Sequence, residues 1–179
     1  MKAKTILVTG ANGYIGHHVV SYLLNLGMKV IAVDIKFSDI DPRAETIETD
    51  IFGTKIDLES IVKKTDICLH LAWRNGFNHN SESHILDLPN HFNFVKYLLG
   101  GGLKHIAILG SMHEIGYWEG AIDENTPTNP TTLYGIAKNS LRQSTEILTH
   151  NTDVVFQWLR AFYIIGDDLR NHSIFSKIV

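Results

Sequence analysis

Two groups of residues in this sequence have the types and spacing that chemistry needs. The first is Gly10-Ala11-Asn12-Gly13-Tyr14-Ile15-Gly16. It lies between a β-branched apolar run, Thr5-Ile6-Leu7-Val8, and a stretch of helical period. A pyrophosphate needs backbone to come close to it, and glycine alone leaves that room. The first-turn amides of the following helix then face the anion, aided by the helix dipole. Asp34 closes the next β-branched run, Val30 to Val33. A carboxylate there accepts hydrogen bonds from the hydroxyls of an adenosine ribose and repels a 2′-phosphate. The pattern favours NAD over NADP, with Lys36 near enough to offset part of that repulsion. Taken alone, such glycines make a plain tight turn; the strand–turn–helix context and the acid separate the two readings.

The second group is Tyr134 and Lys138, four apart on a helical stretch and therefore on one face. A phenol with its ordinary pKa of about 10 is a poor base at neutral pH. A neighbouring ammonium, together with the positive charge of an oxidised nicotinamide, favours the phenolate and lowers that pKa. The same spacing also occurs as a plain surface pair on many helices.

These residues must be positioned by an alternation of strands and helices. Thr5–Val8 and Val30–Val33 are followed by a weaker strand at Thr46-Ile47-Glu48, then by Asp66–Ala72, His105–Leu109 and Val154–Leu159. Ile15, Val19, Leu23 and Leu26 define one helix face, with Gly27 as its C-cap. Ser83–Leu99 reads as a second helix, in which Pro89 either makes a kink or sits in the first turn. Gly100-Gly101-Gly102 stops it, and Leu133–Leu148 is a third helix. The expected class is α/β, a doubly wound parallel sheet with helices on both faces. The segment from Gly116 to Thr132, with Pro127 and Pro130, is too long for an ordinary connection and reads as a functional loop.

The chain has 179 residues, 44% hydrophobic and 20% charged, which suits a globular domain and not a disordered or fibrous chain. A formal charge of −3 supplies no basic field for nucleic acid or anionic lipid. No apolar run has a membrane-spanning length and no secretory signal is evident, so neither a nucleic-acid nor a membrane partner is expected. The single Cys68 cannot form an internal disulfide, which suits a reducing cytoplasm.

The ordered set Thr9–Gly16, Asp34, Asp50-Ile51, His70-Leu71-Ala72, Ser111, Tyr134-Gly135-Ile136-Ala137-Lys138 and Leu159-Arg160 with Gly166 resembles the extended short-chain dehydrogenase/reductases. The similarity is to their NAD-dependent epimerase/dehydratase group, which mostly acts on nucleotide sugars. It implies a Rossmann-type fold, NAD as cofactor, a nucleotide-linked sugar as substrate and a homodimer or other homo-oligomer. In the family's dimers the helix carrying Tyr134 and the preceding helix form a four-helix bundle. The resemblance also implies that Asp50 and Ile51 bracket the adenine and that the turn at Leu71-Ala72 lies over the phosphates. Ile35, Trp73, Leu109 and Phe162 complete the expected cofactor wall. Ser111, Tyr134 and Lys138 match the catalytic set. Tyr134 exchanges a proton with a sugar oxygen as hydride moves to or from the nicotinamide, Ser111 orients that oxygen, and Lys138 tunes the tyrosine and holds the ribose.

The sequence departs from the family at informative places. The dehydratase Asp-Glu pair that follows the serine is replaced by Met112-His113. His113 is then either an acid or base near neutrality, included in the catalytic set, or an ordinary loop histidine. Tyr163 stands where galactose epimerases carry an asparagine that contacts substrate. Tyr163, Arg74 and Trp118 are the candidate substrate contacts. Each has a plainer reading, as a packed aromatic, a surface arginine or a loop anchor. The ten histidines give no metal-ligand spacing, and His79, His84 and His91 read as solvated or capping. His70 is expected at a strand end with its ring in a hydrogen bond, and Cys68 as an inert core residue.

The expected organisation is an NAD-binding domain over residues 1–166 and the start of a truncated substrate-binding region over 167–179. The function read from all this is an NAD-dependent epimerase or reductase of a nucleotide-linked sugar. The other readings are a non-catalytic NAD(P)-binding regulator, or a remnant or subunit of such an enzyme.

Overall fold

Apolar runs in this chain become strands covered on both sides. The computed structural model describes residues 3–53 and 56–164, so the region expected over 167–179, and Gly166, lie outside the described residues. The strands are β1 (Thr5–Thr9), β2 (Lys29–Asp34), β3 (Glu45–Glu48), β4 (Ile67–His70), β5 (His105–Ser111) and β6 (Val155–Ala161). The helices are α1 (Tyr14–Asn25), α2 (Leu58–Lys64), α3 (Ser83–Gly100) and α4 (Leu133–Thr149), with a 3₁₀ turn at Met112–Glu114.

All ladders are parallel, in the order β3-β2-β1-β4-β5-β6. This is the strand order of a Rossmann fold. Leu7 in the centre of β1 is in register with Ile31 of β2 on one side and Cys68 of β4 on the other. The direction of winding reverses between β1 and β4, so the loops leaving their carboxyl ends part and open a crevice.

The alternation of side chains along each strand assigns them to two cores. Ile6, Val8, Val30 and Ala32 pack with Val20 of α1. Leu7, Ile31, Cys68, Ile106 and Ile108 pack with Ile61 and Val62 of α2, Phe94, Val95 and Leu98 of α3 and Leu141 of α4. Each fully buried side chain of this kind contributes about 1.5–3 kcal/mol relative to exposure, so the two-sided sheet is the main source of stability.

Three local features differ from the sequence expectation. Helix α2 is too short to announce itself by periodicity. It is held by the Asp57 carboxylate, which accepts the Ser60 N–H at 3.0 Å, and by the Glu59–Lys63 pair. Pro89 is an interior residue of α3, beyond its first turn, and leaves the Ile85 carbonyl without its helical donor. Strand β4 stops at His70, so Leu71 and Ala72 already belong to the loop over the crevice. The segment after Gly116 runs without regular structure as far as Thr132, where the threonine hydroxyl caps α4 by accepting the Gly135 N–H at 3.1 Å. Among the described residues no helix is long and apolar enough to cross a membrane.

Candidate active site

The glycine turn is a place where backbone meets backbone. Gly10 has φ +68°, and a Cβ there would lie 2.7 Å from the Ala72 nitrogen. A Cβ on Gly16 would lie 2.2 Å from the Gly10 carbonyl oxygen. The turn is thus pressed against the β4 loop on one side and the first turn of α1 on the other. Gly13 is the N-cap of α1, and no side chain caps that end. The amide of Asn12 donates to Asp34 Oδ2 at 2.9 Å, and the amide of Ile35 to Asp34 Oδ1 at 2.7 Å. Asp34 therefore fixes the turn and keeps lone pairs for a further donor.

Beside this turn lies a cleft of about 630 Å³. It brings together Gly10, Asn12, Gly13, Asp34, Ile35, Asp50, Ile51, Leu71, Ala72 and Trp73, all expected cofactor contacts. Its wall also includes Val33, Thr49, Phe52, Asp87 and Asn90, which the sequence reading did not single out, and His91, which it read as solvated or capping. Tyr14, Ile15, Gly16, Lys36, Leu109 and Phe162 are not on that wall. Lys36 is exposed beyond the end of β2.

The catalytic candidates converge at the carboxyl end of β5. Ser111 is the last residue of that strand, and Glu114 fixes it. The Glu114 carboxylate is fully buried. Its Oε1 accepts the Ser111 N–H at 2.6 Å, and its Oε2 accepts Trp158 Nε1 at 2.8 Å and the Arg160 guanidinium at 3.2 Å. The Ser111 hydroxyl in turn accepts the His113 N–H at 3.3 Å. The Ser-x-x-Glu spacing of a capping box was the available signal for Glu114.

Tyr134 lies in the first turn of α4, and its N–H donates to the His79 carbonyl at 2.9 Å. Lys138 follows one turn later, fully buried, donating to the Leu109 carbonyl at 2.6 Å. Its ammonium lies 4.0 Å from the centre of the Trp73 ring and 5.9 Å from that of Tyr134. Burial lowers the Lys138 pKa to about 7, against the charge of Glu114, which raises it. The phenol behaves differently from the expectation. Burial pushes the Tyr134 pKa up, the Glu114 charge adds to this, and a hydrogen bond with Ser111 opposes it. Among the chain's own groups, the Lys138 ammonium does not offset the cost of desolvating a phenolate.

The reading of His84 and His91 as solvated or capping residues is corrected by the structure, because both rings are buried. Trp73 Nε1 donates to His84 Nδ1 at 3.0 Å, and His84 Nε2 bonds to the Asn78 carbonyl at 2.8 Å. His91 stacks on Trp73, with ring centres 4.1 Å apart and planes 13° apart. Its Nδ1 meets His70 Nε2 at 2.9 Å, and His70 Nδ1 meets the Thr9 hydroxyl at 2.6 Å, so His70 sits at its strand end with its ring hydrogen-bonded as expected. An indole in the loop after β4 packs against both rings on α3, which no local period reveals. Among the described residues no group of three or more His, Cys, Asp or Glu could hold a metal ion.

Burial lowers the His70 pKa from 6.5 to about 3 and lowers that of His91 as well, so both rings are neutral in the folded chain. The unfolded chain binds these protons near pH 6.5, so it holds more protons than the folded chain at any pH from there down to about 3. Stability should therefore fall as pH falls through that window, by about 1.4 kcal/mol per pH unit for each ring. Urea unfolding at pH 7, 6 and 5 measures it, and His70→Gln should flatten the slope. Equal stability at pH 7 and 5 would contradict buried neutral imidazoles.

The other candidates have definite places. His113 is half-buried, with its ring centre 4.0 Å from that of His79 and 5.7 Å from that of Tyr134. Burial and then His79 hold its pKa below the usual value, so it is neutral at neutral pH. Arg74 is on the cleft wall, but its guanidinium pairs with the Asp87 carboxylate through Nε and, at 2.7 Å, through Nη2. Trp118 donates to the Ala121 carbonyl at 3.1 Å and so ties its own loop. Phe162 and Tyr163 are exposed beyond the end of β6.

Comparison with known proteins gives this geometry a context. A family model described as the NAD dependent epimerase/dehydratase family matches residues 6–179. The dTDP-6-deoxy-L-talose 4-dehydrogenase (NAD(+)) of Aggregatibacter actinomycetemcomitans is 46% identical over 184 residues, covering 97% of this chain and 66% of the relative. A putative UDP-glucose 4-epimerase of Methanocaldococcus jannaschii is 28% identical over 144 residues, covering 74% of this chain and 47% of that protein. The chain thus spans about half to two thirds of these relatives' lengths. Among solved structures, MoeE5 in complex with UDP-glucose and NAD superposes with a TM-score of 0.82 at 22% identity, over 97% of this chain and 59% of MoeE5. A UDP-glucuronic acid 4-epimerase from Bacillus cereus, in complex with UDP-glucuronic acid and NAD, gives 0.81 at 24% identity, over 96% and 60%. At these identities the two structures show the shared fold.

Proposed function

The chain belongs to the NAD-dependent epimerase/dehydratase family, and from that premise we propose that it forms the cofactor half of an NAD-dependent enzyme acting on a nucleotide-linked sugar. The carrying observation is the meeting of Ser111, Tyr134 and Lys138 at the mouth of β5, beside a cleft floored by glycine backbone. The 46% identical relative is named as a 4-dehydrogenase of a dTDP-6-deoxy sugar. We therefore take net oxidation or reduction at a sugar carbon as the reaction, with epimerisation as the other outcome of the test.

The cleft suits a dinucleotide because a Cβ at Gly10 or Gly16 would meet backbone, and the lack of one lets the turn close beside an uncapped helix end. Gly10, Asn12 and Gly13 would hold the pyrophosphate, Asp34 the ribose hydroxyls, and Asp50 and Ile51 the adenine. When bound, NAD supplies the acceptor or donor of hydride. Tyr134 takes a proton from the sugar hydroxyl in oxidation and returns it to the developing alkoxide in reduction. Burial raises its pKa in the chain alone, so taking that proton would need the positive charge of the bound oxidised nicotinamide, which favours the phenolate. Ser111 hydrogen-bonds the same sugar oxygen. Lys138, one helical turn below Tyr134 and anchored on the Leu109 carbonyl, would hold the nicotinamide ribose beside the phenol.

Two measurements test this. The protein mixed with dTDP- and UDP-linked sugars and NAD should produce reduced nicotinamide in proportion to sugar oxidised. Sugar inversion without net reduction would identify an epimerase, and no turnover with any nucleotide sugar would overturn the assignment. Calorimetric titration should show NAD binding more tightly than NADP. Asp34→Asn should narrow that preference about tenfold, a change of about 1.4 kcal/mol, by removing the charge that repels a 2′-phosphate. An unchanged ratio would remove Asp34 from the selectivity.

A further inference from the structure

The buried histidine pair has a single arrangement of protons that leaves the Thr9 O–H an acceptor. Thr9 is fully buried. Its hydroxyl oxygen accepts the Ala72 N–H at 3.3 Å and has one other partner among the described residues, His70 Nδ1. If His70 Nδ1 carried the proton, the Thr9 O–H would be a buried donor with nothing to receive it, a costly state. The Thr9 O–H must therefore donate to His70 Nδ1. His70, neutral, then carries its proton on Nε2 and donates it to His91 Nδ1. His91, also neutral, is left with its proton on Nε2. That nitrogen has no protein partner among the described residues, and His91 lines the cleft. Turning the ring over would give up the bond to His70 Nε2, and the Trp73 face and the edge-on contact with Phe52 at 4.7 Å pack the ring as it stands.

We infer that His91 Nε2–H is an uncharged hydrogen-bond donor of the cleft, taking an acceptor atom on the adenosine diphosphate part of the bound dinucleotide, with its tautomer set from Thr9 through His70. The ligand named here rests on the dinucleotide reading above. The tautomer does not. The position agrees with that ligand part: His91 touches Phe52 and Trp73 and shares the cleft wall with Asp50 and Ala72. Asp87, on the same wall, is occupied by Arg74, so His91 offers a donor beside a carboxylate already paired. A neutral donor discriminates by geometry alone, without the affinity for any anion that a free arginine would bring.

The tests separate the parts. Nitrogen-15 correlation spectra of the unliganded protein should show His91 protonated on Nε2 and bare on Nδ1, and His70 the same. A proton on Nδ1 of His91 would overturn the inference outright. Titration with ADP-ribose and with NAD should show about tenfold weaker binding for His91→Phe, which keeps a ring against Trp73 and lacks the donor. His91→Gln can accept from His70 and donate to the cleft, and should stay within about threefold of the parent. If the phenylalanine variant fails to fold, the nitrogen-15 signal of His91 Nε2 in the parent decides: it should shift on adding ADP-ribose, and an unmoved signal with ligand bound would overturn the role. If the parent binds and both variants bind as well as it does, the role of His91 is wrong and the dinucleotide reading stands. If the parent binds no dinucleotide, that reading falls and takes this ligand with it.

Discussion

Tyr134→Phe should cut turnover about 10²–10⁴-fold, the range that a positioned acid or base supplies, with NAD affinity changed by no more than about threefold. The substitution removes one oxygen and keeps the ring, so the contacts of Tyr134 with Trp73, His79 and His84 survive. Its backbone N–H still donates to His79, so the start of α4 stays in place. What is lost is the proton exchanged with the sugar oxygen. Single-turnover measurement with the best nucleotide sugar reads this directly. A variant within tenfold of the parent would mean that another group, with His113 the nearest candidate, moves the proton.

Gly16→Ala should reduce NAD affinity at least tenfold and destabilise the chain by about 1–3 kcal/mol. The new methyl would lie 2.2 Å from the Gly10 carbonyl and 2.8 Å from the Ala11 Cα, both backbone atoms that cannot swing aside. Helix α1 must then back away from the turn, and its first-turn amides leave the position where they face an anion. Gly27→Ala is the matched control. Gly27 has φ +77° and nothing within 4 Å of a built Cβ, so it should cost about 1–2 kcal/mol in backbone strain and leave binding intact. Calorimetric titration and thermal melting of both variants separate the two effects. Equal binding by the Gly16 and Gly27 variants would show that the turn does not hold the ligand.

What could be read from the sequence followed the range of the interaction. Gly10 to Gly16 and Asp34 act within one β-α-β unit, so their spacing along the chain carries their meaning. Tyr134 and Lys138 are one helical turn apart, and Ser111 ends a strand whose apolar run is continuous. The environment of the tyrosine was not legible, because its pKa depends on burial under residues far away in the chain. Nor was the chain of contacts from Thr9 through His70 and His91 to Trp73, since each member comes from a different segment. Glu114 lay between these cases. Its spacing from Ser111 announces a capping box, but its partners Trp158 and Arg160 are brought in by β6. The guanidinium of Arg74 was legible as a charge and not as half of a pair with Asp87.

Cys68 gives the protein a use unrelated to its chemistry. The thiol is fully buried in β4, paired through the backbone with Leu7 on one side and Ile106 on the other, and burial pushes its pKa far up. A thiol reagent reaches it only when the middle of the sheet comes apart, and the sequence offers that reagent no second target. Labelling under native conditions therefore counts global openings one molecule at a time. Under excess reagent the rate becomes the unfolding rate itself. A ligand that binds only the folded state slows labelling by the factor 1 + [L]/Kd wherever reclosing outpaces modification, so the same thiol measures dinucleotide affinity with no optical or calorimetric signal from the cleft.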